Sequence, residues 1–173
     1  DVSEEYAGTP AGAQAAIGAA RKLYEEGKFD QAETRFSLVM RDYAGTTQAD
    51  AAQFGEAYAL EAQEKFQAAQ KRFDTLSEST VDDPAKFVDA CLGVARCARS
   101  QKKYAEAEKW IQRAVSSGAE GTVMQRAREA LKALKVAQVE RPAPEAEESA
   151  EAADEAPTAD TPSKAAADDG EAK

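Results

Sequence analysis

Lys28-Phe29-Asp30-Gln31-Ala32 recurs in outline twice along the chain, as Lys65-Phe66-Gln67-Ala68-Ala69 and as Lys103-Tyr104-Ala105-Glu106-Ala107. Each stretch reads Lys-aromatic-x-x-Ala, and the aromatics are 37 and 38 residues apart. A fixed period of this size marks an array in which each unit is one supersecondary element stacked on the next. The likeness extends in both directions. Seven residues past the aromatic come Phe36, Phe73 and Ile111, and ten past it Val39, Leu76 and Ala114. Nine before it lie Ala20, Ala57 and Ala95, and six before it Leu23, Leu60 and Ala98. Offsets of three, seven and ten fall on one helical stripe. Each unit is therefore predicted to be two amphipathic helices, with a tight turn just ahead of the aromatic. The small Ala of the second helix is expected to meet the small Ala of the first. Two small residues let the axes approach closely, and the large residues fill the space on either side.

The local punctuation agrees. Thr9 is the expected N-cap of a first helix with Pro10 at its first position, running to about Glu26 and stopping at Gly27. Asp30 and Glu33 have capping-box spacing for a second helix that ends near Tyr43. Thr46 or Thr47 opens a third helix to about Gln63, and a fourth covers about Gln67 to Ser77. Asp83-Pro84 starts a fifth, to about Ser100, and a sixth spans about Ala105 to Ser116. Gly121-Thr122 begins a seventh, with Thr122 and Gln125 as a second capping-box pair. In it Met124, Ala127, Leu131 and Leu134 recur at helical spacing. That helix is expected to cover the open apolar end of the third pair, as a terminal cap must.

The pattern resembles the tetratricopeptide repeat from roughly Ala13 to Val139. The residues that carry the resemblance are the Lys-aromatic-x-x-Ala turns, the paired small residues, and Phe36 and Phe73 in the second helices. The family's Trp-x-x-Leu-Gly-x-x-Tyr first-helix signature is degraded: those positions hold Ala16, Ala19, Ala20 and Leu23 in repeat one, and Gln53, Glu56, Ala57 and Leu60 in repeat two. The repeat-ending proline is missing. The longer period and the linker Asp42-Tyr43-Ala44-Gly45-Thr46-Thr47 make it similar to bacterial cell-envelope repeats, such as those of the Tol-associated cell-division coordinator and the outer-membrane assembly lipoprotein.

The implied fold class is all-α, a helical-hairpin solenoid of about three repeats plus a C-terminal capping helix, followed by a disordered tail. The implied domains are a flexible acidic segment at 1–9, the repeat domain at 10–139, and an Ala/Glu/Pro-rich acidic tail at 140–173. The tail reading also stands on composition. Val, Ile, Leu and Phe total 24 of 173 residues, all at or before Val139, and 40 residues are Ala. Of the formal net charge of −10, residues 140–173 carry −8, residues 1–8 carry −3, and Thr9 to Val139 carry +1. A segment with four prolines, no aromatic and only Ala as an apolar residue cannot offset its ordering entropy. It offers no apolar anchor to a partner groove.

Several classes of function are disfavoured. The chain has no His, so imidazole ligands, imidazole bases and the Ser-His or Cys-His pairs are absent. There is no Gly-rich phosphate loop and no Gly-x-Ser-x-Gly elbow. Glu25-Glu26 and Asp82-Asp83 are paired carboxylates but read as a helix end and a helix start. No catalytic residue, cofactor or metal is expected. Cys91 and Cys97, six residues apart in a helix, are expected to be two buried small hydrophobes. The folded part is near neutral with interleaved charges, which disfavours nucleic acid. No apolar run reaches a membrane span, so no direct membrane insertion is expected in this segment. Because the first residue is Asp1 and not Met, a longer product is expected, with any anchor or targeting signal upstream.

What the resemblance implies is a scaffold whose first helices line a concave surface that holds a protein partner, a peptide or a helix. The positions projected onto that surface are Arg21, Tyr24 and Glu25 from repeat one, Phe54, Tyr58 and Glu61 from repeat two, and Asp89, Arg96 and Arg99 from repeat three. Arg and Tyr often anchor interfaces. Arg96 and Arg99 share a face and suit bidentate capture of a partner carboxylate. The competing reading is that these residues are solvated or pack within the array, with Tyr24 and Phe54 in inter-repeat core. Trp110 either anchors a partner or packs under the capping helix, and packing is favoured. The Lys/Asn clamp that holds chaperone C-termini in some members of the family cannot form, because the chain has no Asn. Self-association into dimers or larger assemblies is the alternative role. The expected location is the bacterial cell envelope or periplasm, with the cytoplasm as alternative.

Overall fold

The computed structural model describes residues 9–139. The expected flexible segment ahead of Thr9 and the expected disordered tail after Val139 lie outside the described residues. Within them the fold is helical, with seven α-helices and no strand. They are α1 Pro10–Glu25, α2 Phe29–Asp42, α3 Thr47–Ala62, α4 Phe66–Ser79, α5 Pro84–Ser100, α6 Tyr104–Val115 and α7 Gly121–Val139. Each helix packs on the next, and the odd-numbered helices also touch one another in order, α1 on α3, α3 on α5 and α5 on α7. That is a stack of hairpins.

The starts of the first helices follow the sequence. Thr9 accepts a hydrogen bond from the Gly12 N–H at 3.1 Å, with Pro10 at the first helical position. Thr46 accepts from the Ala49 N–H, and Asp83 from Ala85 and Lys86. The second helices start differently from expectation. In α2, α4 and α6 the aromatic is itself the first helical residue, and Lys28, Lys65 and Lys103 occupy the cap position with no side-chain cap bond. Asp30 is thus inside α2 and not its cap. The reason lies in the turn, which the backbone closes by itself. The N–H groups of Lys28, Lys65 and Lys103 donate to the carbonyls of Leu23, Leu60 and Ala98 at 2.9–3.0 Å. This closure requires a left-handed residue two places before the aromatic, and Gly27, Glu64 and Lys102 have φ of 74°, 59° and 63°. Thr122 also lies inside its helix, α7, and Gln125 donates to Glu129 one turn on, so that capping box does not form.

The repeat positions form the core. Ala20, Ala32, Ala57, Ala69 and Ala107 expose no surface, and Phe36, Phe73 and Ile111 expose 4% or less. Successive clusters centre on Ile17, Phe36 and Val39, then on Phe73, Leu76 and Val94, then on Leu92, Ile111 and Leu134. Ala127 and Leu134 of α7 are buried in the last of these, which is how α7 closes the end of the third pair. Trp110 is half-buried and packs against the last two clusters, with the Arg113 guanidinium 4.9 Å from its ring. Cys91 and Cys97 are free and buried, and burial pushes their thiols up to about 11 and about 12.

Three contacts set the distance between repeats. Gly55 and Gly93 lie directly against the rings of Phe36 and Phe73 from the preceding hairpin. Gln63 and Gln101, each three residues before an aromatic, donate to Glu33 and Gln70 of the preceding second helix, at 2.8 and 2.6 Å. Glu56, only 5% exposed, accepts from the Ser37 hydroxyl at 2.8 Å and pairs with Arg72 at 3.0 Å. Its carboxylate thus joins α2, α3 and α4.

Candidate functional site

The first helices α1, α3 and α5 carry all nine projected residues, and five of those nine converge. Arg21, Tyr24 and Glu25 of α1 and Phe54 and Tyr58 of α3 line a hollow of about 440 Å³, together with Phe36, Ala51, Gly55 and Lys86. The hollow exists because α1 and α3 meet through small residues. Gly55 and Ala51 leave its floor low, and the rings of Tyr24, Phe36, Phe54 and Tyr58 form its walls. Tyr24 packs on the first core cluster and meets Phe29 edge-on at 5.2 Å. Phe54 and Tyr58 pack on the second cluster, and Tyr58 meets Phe73 edge-on at 5.2 Å. These side chains are half-buried, so they serve the core and the hollow at once.

The remaining four projected residues are placed elsewhere. Arg96 has the bidentate geometry expected of it, but the carboxylate it holds is internal. Its Nε and Nη2 donate to the two Glu61 oxygens, both at 2.8 Å. Its guanidinium also lies 5.6 Å from the Tyr58 ring and 5.7 Å from the Phe73 ring. Burial works against the Arg96 charge, but Glu61 holds it fully protonated. Asp89 is paired with Arg126 of α7. Arg96 and Arg99 border a smaller hollow of about 110 Å³ beside Leu92, Ile111 and Leu134. Arg99 is exposed and makes no ion pair among the described residues.

The electrostatics of the larger hollow are mixed. Arg21 and Glu25 sit one turn apart on α1, and neither makes an ion pair among the described residues. Lys86 pairs with Asp83 at 3.2 Å. Burial, with Asp89 nearby, pushes the Tyr58 phenol above its ordinary value, so it remains a protonated donor at neutral pH. Among the described residues no group of three or more acidic or Cys side chains is placed to hold a metal ion. Nor is any helix there long and apolar enough to cross a membrane. What this arrangement can do is bind: it offers apolar ring surface, two phenols and charged groups of both signs at a rim.

The fold is similar to that of a secretion chaperone. The solved structure of the Yersinia enterocolitica type III secretion translocator chaperone SycD, in an alternative dimer, matches with a TM-score of 0.57 and 18% sequence identity. The match covers 75% of this chain and 96% of that one. At this identity the likeness establishes a shared, tetratricopeptide-like helical-repeat fold. No family model matches the chain, and no curated protein matches it.

Two features of the site were missed by the sequence reading. One is the glycine at Gly18, Gly55 and Gly93, eleven residues before each aromatic, which was readable from the same alignment of repeats. The other is the Glu61–Arg96 pair. Its partners are 35 residues apart, and the signal for it is the phase of adjacent first helices.

Proposed function

We propose that the chain is a tetratricopeptide-repeat scaffold that binds a peptide or helix of a partner protein without catalysing a reaction, as part of a bacterial cell-envelope complex. The observation that carries this reading is the hollow of about 440 Å³ walled by Tyr24, Phe36, Phe54 and Tyr58. Half-exposed aromatic surface on rigid helices is a typical anchor site for a partner side chain. SycD, which shares the fold, is a chaperone of type III secretion translocators by its title, and this supports a protein partner for the present chain. The envelope assignment rests on the resemblance of the linker and period to envelope repeats. A photo-crosslinking amino acid in place of Phe54 tests the site in cells. The expected result is a discrete crosslinked product from position 54 and none from Lys71, exposed on the second helix α4. Equal capture from both positions, or capture from position 71 alone, contradicts the assignment.

A second reading, self-assembly, is favoured by one observation. Val136 of α7 is 48% exposed beside Ala133 and Ala137, an apolar strip at the end of the array. The SycD chain was solved as a dimer. Sedimentation velocity over a wide concentration range separates the two roles, and a monomer throughout counts against assembly.

A further inference from the structure

The gap between α3 and α5 is the gap between α1 and α3 moved on by one repeat. Phe73 stands where Phe36 stands, Gly93 where Gly55 stands, Glu61 where Tyr24 stands and Arg96 where Tyr58 stands. The molecule fills the later gap with its own arginine. The Arg96 guanidinium lies 5.6 and 5.7 Å from the Tyr58 and Phe73 rings, and Glu61 holds it through two hydrogen bonds. In the earlier gap no residue of the chain takes that place, and a hollow of about 440 Å³ remains. Its walls are aromatic, and the Glu25 carboxylate on its lining is unpaired among the described residues.

We propose that this hollow receives an arginine side chain of the partner, with its guanidinium stacked on the aromatic walls and hydrogen-bonded to Glu25. The proposal rests on the scaffold reading above and adds the chemistry of the partner. The geometry is that of Arg96 transposed by one repeat. Aromatic faces attract a cation through their quadrupole, more strongly when water is excluded. The overall charge favours the same partner. The chain carries −10, with −3 ahead of the array and −8 after it, which raises the local concentration of a basic segment. Two groups oppose a cation in the hollow, Arg21 on α1 and Lys86 on α5, the latter already engaged by Asp83. A planar, delocalised and weakly hydrated guanidinium tolerates that opposition better than a compact ammonium, because ring stacking supplies part of its binding. The hollow therefore selects Arg over Lys.

The test uses the full chain and short acetylated, amidated Ala-based peptides with one central Arg, Lys, Leu or Phe. Binding is read by NMR from the Gly55 amide and the Tyr24 and Tyr58 rings, at millimolar peptide. The expected result is that the Arg peptide binds about fivefold or more tighter than the others. Glu25→Gln, at an exposed position, is expected to remove most of that preference without altering the Leu peptide. A Leu or Phe peptide that binds tightest at these signals overturns the arginine assignment and leaves the scaffold reading standing. Equal binding of Arg and Lys, or no effect of Glu25→Gln, also overturns it. If no peptide perturbs these signals, both readings fall.

Discussion

The ring of Phe36 occupies the space that a Cβ on Gly55 would need, and one repeat later the ring of Phe73 does the same for Gly93, where a Cβ would lie 2.5 Å from the ring. Gly18 holds the same place in α1, and an added Cβ there meets nothing within 4 Å. The three glycines should therefore respond in opposite directions to the same substitution. Gly55→Ala and Gly93→Ala are expected to lose on the order of 1–3 kcal/mol by overpacking. Gly18→Ala should gain about 0.5–1 kcal/mol from helix propensity alone. Urea unfolding of the three variants checks the contrast.

The turn ahead of each aromatic gives a second prediction. Glu64 and Lys102 adopt the left-handed backbone at φ 59° and 63°, where the first repeat has Gly27. A left-handed conformation costs a residue with a Cβ roughly 1 kcal/mol. Glu64→Gly and Lys102→Gly should each be neutral to stabilising by up to about 1 kcal/mol, and Gly27→Ala destabilising by a similar amount. Thermal or urea midpoints measure both signs.

The two arginines of α5 should separate cleanly. Arg96→Ala leaves the Glu61 carboxylate, with 20% of its side chain exposed, without its partner. A loss of about 1–3 kcal/mol is expected. Arg99→Glu, at an exposed position, should stay within about 0.5 kcal/mol of the parent. Equal effects in chemical denaturation would mean that the Glu61–Arg96 fork does not bind α3 to α5.

Both cysteines are held above their ordinary value of 9.0 by burial, Cys91 at about 11 and Cys97 at about 12. The folded chain then keeps protons that the unfolded chain releases. The associated stability is fully present below pH 9.0 and is lost as pH rises through about 11 and 12. Neither thiol should react with a thiol reagent at neutral pH faster than the chain opens. The alkaline loss of stability should shrink in a Cys91→Ala plus Cys97→Ala variant.

Much of the fold was readable because helix packing depends on side-chain size at a fixed period. The positions three, seven and ten residues past each start, among them Ala32, Phe36 and Val39, are buried as that period requires. The starts of the second helices were placed late, because the sequence reading looked for a side-chain cap where the backbone turn closes itself. For the site, the sequence located the first-helix face but did not divide it. Whether Arg96 faces a partner or Glu61 depends on the register between repeats, which no local pattern encodes. Whether Tyr24 and Phe54 are core or surface had no single answer, because each ring does both.

The central claim is that the hollow walled by Tyr24, Phe36, Phe54 and Tyr58 is where the partner binds. Its most direct test is the affinity of the partner captured from position 54, measured by calorimetry against the full chain and against Tyr24→Ala plus Phe54→Ala. Loss of two anchor rings is predicted to weaken binding about 30-fold or more, with the helical circular dichroism signal unchanged. An unchanged affinity in a folded double variant would contradict the account.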